Sequence, residues 1–249
     1  MRVTAVTVDF WWTLFHDTSP GVDRHKLRRL ADFKAILQAA GETASLELLD
    51  RAYEESGAYL ARVWATHRDV PVGEHVRAVL SAIDADLPGR LDASVSARLV
   101  DAYARPALID SPAVDPGALA ALETLCARGL TLAVVSNAMR TPGVVLRALL
   151  ERHGLLGCFA HTAFSDEVGV RKPDPAIFAH ALDVLGADRE RAVHVGDDAI
   201  LDVQGARAAG MRVVQVIGDR EAPPGPPAPD AVIRWLKELP DAIDRLDGE

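Results

Sequence analysis

Residues 2–13 read RVTAVTVDFWWT: a run of Val, Thr and Ala that ends abruptly in Asp9, followed by an aromatic turn containing Trp11-Trp12. A short β-branched run without helical periodicity, closed by a polar residue, is the pattern of a buried strand. Asp9 then lies at the carboxyl end of that strand. The same grammar returns after Pro112. A helix over Leu119, Leu122 and Leu125, stopped by Gly129, leads into a strand over 130–135. A helix from about 142 to 152, a short strand near Ala163-Phe164 and a helix through Phe178, Leu182 and Leu185 follow. Next come a strand over 192–195, a helix ending at Gly210 and a strand over 212–217. This alternation predicts an α/β fold with a parallel sheet. Residues 218–230, GDREAPPGPPAPD, read as a stiff loop, and Val232, Leu236 and Leu239 as a closing helical segment.

Between about residues 22 and 107 the rhythm is helical throughout. Leu27, Leu30, Phe33, Leu37 and Ala40 make one stripe, and Leu46, Leu49, Tyr53, Leu60 and Trp64 a second. Val72, Val76, Val79 and Ile83 mark a third helix, and Val95, Leu99 and Tyr103 a fourth, punctuated by Pro71, Pro88-Gly89 and Pro106. The expected organisation is a core of residues 1–18 and 110–249 interrupted by an all-helical insert of residues 19–109.

Composition narrows the function classes. The 249 residues are 49% hydrophobic and 25% charged, which suits a folded globular chain and excludes a disordered one. A net charge of −9 repels polyanions, so nucleic acid and anionic membranes are not the expected partners, and any phosphate site must be local. Asp9 comes too soon for a signal peptide, and no run reaches the roughly 18 apolar residues of a membrane helix. Cys126 and Cys158 lack motif spacing and read as small buried apolar side chains. A cytoplasmic protein acting on a small molecule is expected, with its oligomeric state open.

Four polar clusters fall at predicted strand ends, where an open α/β sheet places its ligands. They are Asp9 to Thr13; Ser136-Asn137; Arg171-Lys172-Pro173; and Gly196-Asp197-Asp198 with Asp202. Any one of them alone is ordinary turn or capping chemistry. Together they supply a nucleophile, hydroxyl and amide donors, a fixed cation and carboxylates for a metal.

In these motifs and their order the chain resembles the haloacid dehalogenase superfamily of Asp-nucleophile hydrolases, and the insert resembles that superfamily's small α-helical cap. The resemblance implies a Rossmann-like core with a movable cap that hinges near residues 16–22 and 107–113. It makes Asp9 the nucleophile, with Ser136 and Lys172 holding the transferred group, and Asp197 a ligand of Mg²⁺. Asp9 and the backbone carbonyl of Trp11 complete the implied metal set. Asp202 orients or neutralises Lys172, and Thr13 and Asn137 surround the anionic group. Asp198 is either an outer neighbour of the metal or a helix cap. A carboxylate is a competent nucleophile when a cation and donors neutralise what it attacks, and hard oxygen ligands suit Mg²⁺.

The chain departs from that pattern at Trp11. Phosphatases of the superfamily carry there a second aspartate that protonates the leaving alcohol and then activates water, whereas an indole N–H donates a hydrogen bond but moves no proton near neutral pH. Trp12 stands where relatives commonly carry Gly. Four readings stay open: a Mg²⁺-dependent hydrolase of a phosphate- or sulfate-like group on a good leaving group; a dehalogenase, whose halide needs no proton; a cyclase in which the substrate's own amine displaces sulfate or phosphate; and a non-catalytic descendant binding Mg²⁺ and an anion. The dehalogenase reading meets an obstacle in Asp197, since relatives of that class work without metal and carry a Ser-rich fourth motif. His16 is a candidate substitute for the missing acid. His194, in mid-strand, and His161 read as packing or loop residues. Arg24, His25, Lys26, Arg28 and Arg29 read as a solvated helical face, with the sharper alternative that some of them meet an anionic substrate. Tyr53, Tyr59 and Trp64 are packing aromatics, one or more of which roof the site.

Overall fold

The computed structural model describes residues 2–17, 19–220 and 228–248. Most of the expected Pro/Gly loop, residues 221–227, and Thr18 in the first expected hinge lie outside the described residues. In chain order the first elements are β1 (Ala5–Val8), β2 (Phe15–His16), α1 (Ser19–Ala39), α2 (Leu46–Trp64), α3 (Val72–Ile83), α4 (Leu87–Arg90), α5 (Ala93–Ala104), α6 (Pro106–Ile109) and β3 (Ala113–Val114). There follow α7 (Ala118–Ala127), β4 (Thr131–Ser136), α8 (Gly143–Arg152), β5 (His161–Phe164), α9 (Ser165–Val168), α10 (Pro175–Leu185) and β6 (Ala192–Gly196). A wide π-type turn over Ala199–Gln204 runs into α11 (Gly205–Ala208), and β7 (Arg212–Val216), β8 (Ala231–Ile233) and α12 (Leu239–Gly248) close the chain.

Six strands form one parallel sheet in the order β5-β4-β1-β6-β7-β8. The chain builds outward from β1 in one direction through β4 and β5, then in the other through β6, β7 and β8, so the topological switch lies at β1. All four residues of β1 are buried, as both faces of the sheet are covered by helices. Alternation divides them: Val6 and Val8 join Leu122, Val134 and Leu146 on one face, while Ala5 joins Phe178, Ala181 and Val213 on the other. The expected Rossmann-like α/β core is therefore present.

Val232 corrects one expectation. It lies in β8, an edge strand parallel to β7, and only residues after it turn helical. The Val232-Ile233 pair carries the β-branched signal, but three residues are too few to distinguish a strand from the start of a helix without the β7 edge beside them. Cys126 is exposed rather than buried, with its thiol 3.5 Å from the Cys158 carbonyl oxygen.

After β1 the chain folds into a tight turn. The Phe10 carbonyl accepts from the backbone N–H groups of Leu14 and Phe15, and the Trp12 N–H donates to the Phe15 carbonyl at 2.7 Å. Trp12 has φ of 59°, a left-handed conformation that costs an L-residue about 1–2 kcal/mol. Glycine, which the resemblance implies at this position, adopts that conformation without the cost. The turn sends Trp12 outward, half exposed, and packs Trp11 on the core. β2 then pairs antiparallel with β3, so the two chain segments that lead to and from the helical insert lie side by side.

The insert has its own apolar cluster, including Phe33, Leu37, Leu49, Val79, Leu99 and Tyr103. The face of α1 differs from expectation: Leu27 is 66% exposed, whereas His25 and Arg29 are buried, Arg29 to 4%. Leu46 is likewise exposed. Polar partners decide this rotation, because Arg29 Nε donates to the Tyr103 carbonyl oxygen at 2.7 Å and His25 Nε2 donates to the Asp110 carbonyl oxygen at 2.8 Å. A third tether joins insert to core away from the β2–β3 pair. Asp69 is buried beneath the α2–α3 connection and accepts from Trp64 Nε1, Val70 N, Ser165 Oγ and Arg171 Nη1. No helix among the described residues is long and apolar enough to cross a membrane.

The Asp69 tether yields a stability prediction. Asp69→Ala strips the buried Arg171 of its carboxylate and is expected to cost about 3–5 kcal/mol, measured by denaturant unfolding. Replacing the exposed Leu27 by Gln is expected to change stability by under about 0.5 kcal/mol in the same assay.

Candidate active site

The carboxyl ends of the central strands place the expected residues together. Asp9 extends β1, its N–H bonded to the Val195 carbonyl at 2.8 Å; Ser136 ends β4; and Asp197 follows β6. Lys172 arrives on the loop after α9. A cavity of about 660 Å³ lies between these strand ends and the insert, floored by Asp9, Trp11, Ser136, Lys172 and Asp197. From the insert, Tyr53 and Trp64 reach its wall, whereas Tyr59 does not.

Lys172 is the hub. Its Nζ lies 2.6 Å from Asp9 Oδ1 and 2.6 Å from Asp202 Oδ1, with all three groups buried. Burial works against the ammonium, but Asp202 and Asp9 together hold its pKa above the usual lysine value. Burial would likewise raise Asp202; Lys172 and the His194 hydrogen bond instead hold it well below the carboxylate range. Asp202 has both oxygens engaged, Oδ1 by Lys172 and His194 and Oδ2 by the Asp198 N–H at 2.9 Å. It is a fixed anion that positions the lysine.

His194 belongs to this arrangement, a role that its mid-strand position concealed. Burial lowers its pKa, so the ring is neutral: Nε2–H donates to Asp202 at 3.0 Å and Nδ1 accepts from the Thr7 hydroxyl at 2.8 Å. Gly196 is required for the same reason, since a Cβ there would overlap the Asp202 carboxylate. Asn137 spends its amide on the Lys172 backbone, accepting from N at 2.9 Å and donating to O at 3.1 Å, which clamps the lysine loop to the end of β4 and leaves one side-chain N–H. Asp198 caps the turn after β6, accepting from the Ile200 and Leu201 N–H groups at 2.8 Å, so of its two expected roles the capping one is seen.

The cavity floor holds unspent polar groups. Ser136 Oγ and Trp11 Nε1 are buried on the cavity wall with no hydrogen-bond partner, an arrangement that costs about 1–3 kcal/mol for each group unless a ligand supplies the partner. Thr13 Oγ1 is also buried without a partner but lies behind the wall rather than on it. His16 is not on the wall either: it sits in β2 between the rings of Trp12 and Trp235, and burial lowers its pKa. Nothing in this geometry makes it a substitute acid. His161 lies beside His180 on the far side of β4 from β1.

A divalent cation fits the carboxylates. Asp9, Asp197 and Asp202 bring oxygens within 4.8 Å of one another. With Asp202 committed to Lys172, Asp9 and Asp197 are the pair with capacity, and among the described residues the Trp11 carbonyl accepts no hydrogen bond. Burial, reinforced by Asp202 and Asp197, pushes Asp9 up to about 7 against the pull of Lys172. Burial and Asp202 push Asp197 up to about 6 against Arg220, whose Nη2 lies 3.0 Å from Asp197 Oδ2. Both carboxylates are short of positive charge, and hard oxygen donors of this kind suit Mg²⁺.

The family model described as haloacid dehalogenase-like hydrolase matches residues 3–210. The phosphoglycolate phosphatase of Rhodospirillum rubrum is 41% identical over 125 residues, an alignment covering 49% of this chain and 50% of that protein. The chain thus matches about half the length of such relatives. Among solved structures, a 2-haloacid dehalogenase from Pseudomonas syringae pv. Tomato DC3000 superposes with a TM-score of 0.72 and 27% identity over 98% of this chain and 100% of that one. A HAD phosphatase from Thermococcus onnurineus superposes with a TM-score of 0.61 and 25% identity over 97% and 98%.

The raised Asp9 pKa carries a sign that can be tested. Because the folded value lies above the unfolded one, the metal-free fold bears the cost of the charged form in full above about pH 7 and sheds it as the pH falls toward 4. Asp9→Asn is therefore expected to stabilise the metal-free protein by about 1–2 kcal/mol at pH 8 and by much less at pH 5. Thermal unfolding at the two pH values, repeated with Mg²⁺, measures this; the added ion should stabilise wild type more than the variant.

Proposed function

The chain belongs to the haloacid dehalogenase-like hydrolase family, and from that premise we propose a Mg²⁺-assisted hydrolase in which Asp9 attacks a phosphate- or sulfate-like group on a small substrate whose leaving group departs without a proton. The observation that carries this reading is the buried, under-neutralised pair Asp9 and Asp197 facing the unpartnered Ser136 hydroxyl and Trp11 N–H. Residues 19–109 act as a cap over a core of residues 1–18 and 110–249, shielding the cavity from water.

Mg²⁺, held by Asp9, Asp197 and the Trp11 carbonyl, supplies positive charge that lets an anionic group approach a carboxylate. The chain's own residues do the rest. Lys172, locked between Asp9 and Asp202, keeps Asp9 oriented and neutralises oxygens of the transferred group. Ser136 Oγ–H and the remaining Asn137 N–H donate to those oxygens, and Trp11 Nε1–H donates to the leaving oxygen or to the transferred group. For a phosphoryl group, Asp9 Oδ forms a bond to phosphorus as the bond to the leaving oxygen breaks, and the electron pair leaves with that oxygen. Trp11 provides no proton, so the leaving group must be stable as an anion. Acyl and enol phosphates qualify and simple alkyl phosphates do not. Water then attacks phosphorus of the aspartyl phosphate; its oxygen bonds to phosphorus as the bond to Asp9 Oδ breaks, its proton passes to solvent, and inorganic phosphate leaves with Asp9 restored as the carboxylate.

Trp11 also favours a second reading, C–halogen hydrolysis, in which Asp9 attacks carbon and halide leaves unprotonated. Asp197 weighs against it, since it adds a buried negative charge beside any carboxylate substrate.

A substrate panel ordered by leaving-group acidity separates the readings. The expected outcome is kcat/KM that falls steeply from acetyl phosphate through 4-nitrophenyl phosphate to ethyl phosphate and depends on Mg²⁺. Trp11→Asp should raise turnover of ethyl phosphate by about 10²-fold or more, the usual worth of a general acid–base group. Equal turnover across the panel would contradict the missing-acid reading, and metal-independent chloride release from 2-chloropropionate would establish the second one.

A further inference from the structure

The insert's attachment at Asp69 lands on the backbone that carries the cavity's own residues. The α2–α3 connection, residues 65–71, runs antiparallel to the loop that delivers Lys172, with an isolated bridge between Arg68 and Val170. Arg171 N donates to the His67 carbonyl oxygen at 3.0 Å, and Asp69 N donates to the Gly169 carbonyl oxygen at 3.2 Å. His67 has φ of 55° at this junction, a left-handed conformation that an L-residue keeps only when its surroundings hold it there.

Side chains close this contact into a ring. Asp69 Oδ2 accepts from Ser165 Oγ and, at 3.1 Å, from Arg171 Nη1. Ser165 Oγ in turn accepts from the Ala138 N–H at 2.9 Å. Ala138 adjoins Asn137, whose amide clamps the Lys172 backbone, and Lys172 adjoins Arg171. Two loops are thereby joined: the one after β4, which holds Ser136 and Asn137 at its start, and the one after α9, which holds Lys172. Asp69 is the ring's one member from the insert. Its other oxygen, Oδ1, is fixed by Trp64 Nε1 and Val70 N, each at 2.9 Å, and the centre of the Trp64 ring lies 4.3 Å from the Arg171 guanidinium carbon.

Asp69, Ser165 and Arg171 are buried and do not line the cavity, so none of them is placed to touch a substrate. Among the described residues no other carboxylate pairs with Arg171. Ser165 and Arg171 both donate to one oxygen of Asp69, and losing that acceptor would leave two buried donors unpaired. An attachment that only fixed the insert to the core could sit anywhere along their boundary. This one sits on the two backbone segments that aim Ser136 and Lys172. We propose that Asp69 is a positioning residue for the hydrolase site: through Ser165 and Arg171 it holds the Ser136 and Lys172 loops in register, so that the docked insert sets the geometry around Asp9. The effect on turnover rests on the reading of the Asp9 end given above; the effect on the loops does not.

Asp69→Asn keeps the size of the side chain and removes the charge opposite Arg171, and Ser165→Ala cuts the arm to Ala138; circular dichroism checks the folding of each. Amide hydrogen exchange, read by mass spectrometry on the full chain without Mg²⁺ or substrate, reports on the loops. In Asp69→Asn, exchange is expected to be about tenfold faster or more in peptides covering 137–141 and 169–173, with peptides of β1 and β6 unchanged. With Mg²⁺ and acetyl phosphate, kcat should fall by about tenfold or more while KM moves by less than about threefold, because misaligned groups are felt chiefly in the transition state. Ser165→Ala should speed exchange over 137–141 and leave 169–173 close to wild type. Unchanged exchange in both loops of a folded Asp69→Asn protein overturns the proposal, as does faster exchange spread evenly over all strands, or an unchanged kcat. If Asp69→Asn does not fold, unchanged exchange over 137–141 in Ser165→Ala overturns it. A wild-type protein that turns over no acetyl phosphate contradicts the reading of the Asp9 end, and the exchange result then decides the role of Asp69 by itself.

Discussion

One buried ammonium organises the catalytic end of this protein. Lys172 sits between Asp9 and Asp202, each 2.6 Å away, in a place where an unpaired charge of either sign would cost several kcal/mol. The surrounding features serve that triangle. Gly196 lacks a side chain so that Asp202 can approach, the neutral His194, itself held by Thr7, shares the Asp202 oxygen that Lys172 contacts, and Asn137 clamps the lysine backbone. β1, β4 and β6 lie side by side in the sheet, and the three carboxylates come together there, two of them on the lysine, because the topology switches direction at β1. One cation serves two anions, and Asp202 takes the stronger hold. Asp9 and Asp197 remain short of positive charge, which is the condition that suits a divalent ion and, in the proposed reaction, leaves Asp9 to act as the nucleophile.

Trp11 gives the site its individual chemistry. Its ring packs on the core while its N–H faces the cavity unpaired. A group that donates without titrating suits a leaving group that needs no proton. The insert complements this by closing the other end of the cavity with aromatic and guanidinium groups, tied to the core by the β2–β3 pair and by Asp69.

Much of this was legible in the sequence, because three of the four polar clusters directly follow a strand, the fourth follows β5 after one short helix, and chain order brings strand ends to one edge of a parallel sheet. Asp9, Ser136, Lys172 and Asp197 could be named from that pattern. Contacts made over long sequence separations could not. Leu27 and Arg29 are both compatible with a helical stripe, and Tyr103 and Arg140, 74 and 111 residues beyond Arg29, decide which turns inward. His194 looked like core packing because its partner, Asp202, approaches only across Gly196. The β8 strand is too short to identify without its β7 neighbour, and the left-handed Trp12 runs against the preference of its residue type. Asp69 had no motif at all, and its four donors come from α2, the α2–α3 connection, α9 and the lysine loop.

The central claim is that Asp9 becomes covalently attached to the group it removes. Rapid acid quench during turnover of acetyl phosphate with Mg²⁺, followed by peptide mass spectrometry, tests it directly. The account predicts a phosphoryl group on the peptide that contains Asp9, absent from the Asp9→Asn protein. Steady turnover with no adduct on Asp9 at any quench time would contradict it.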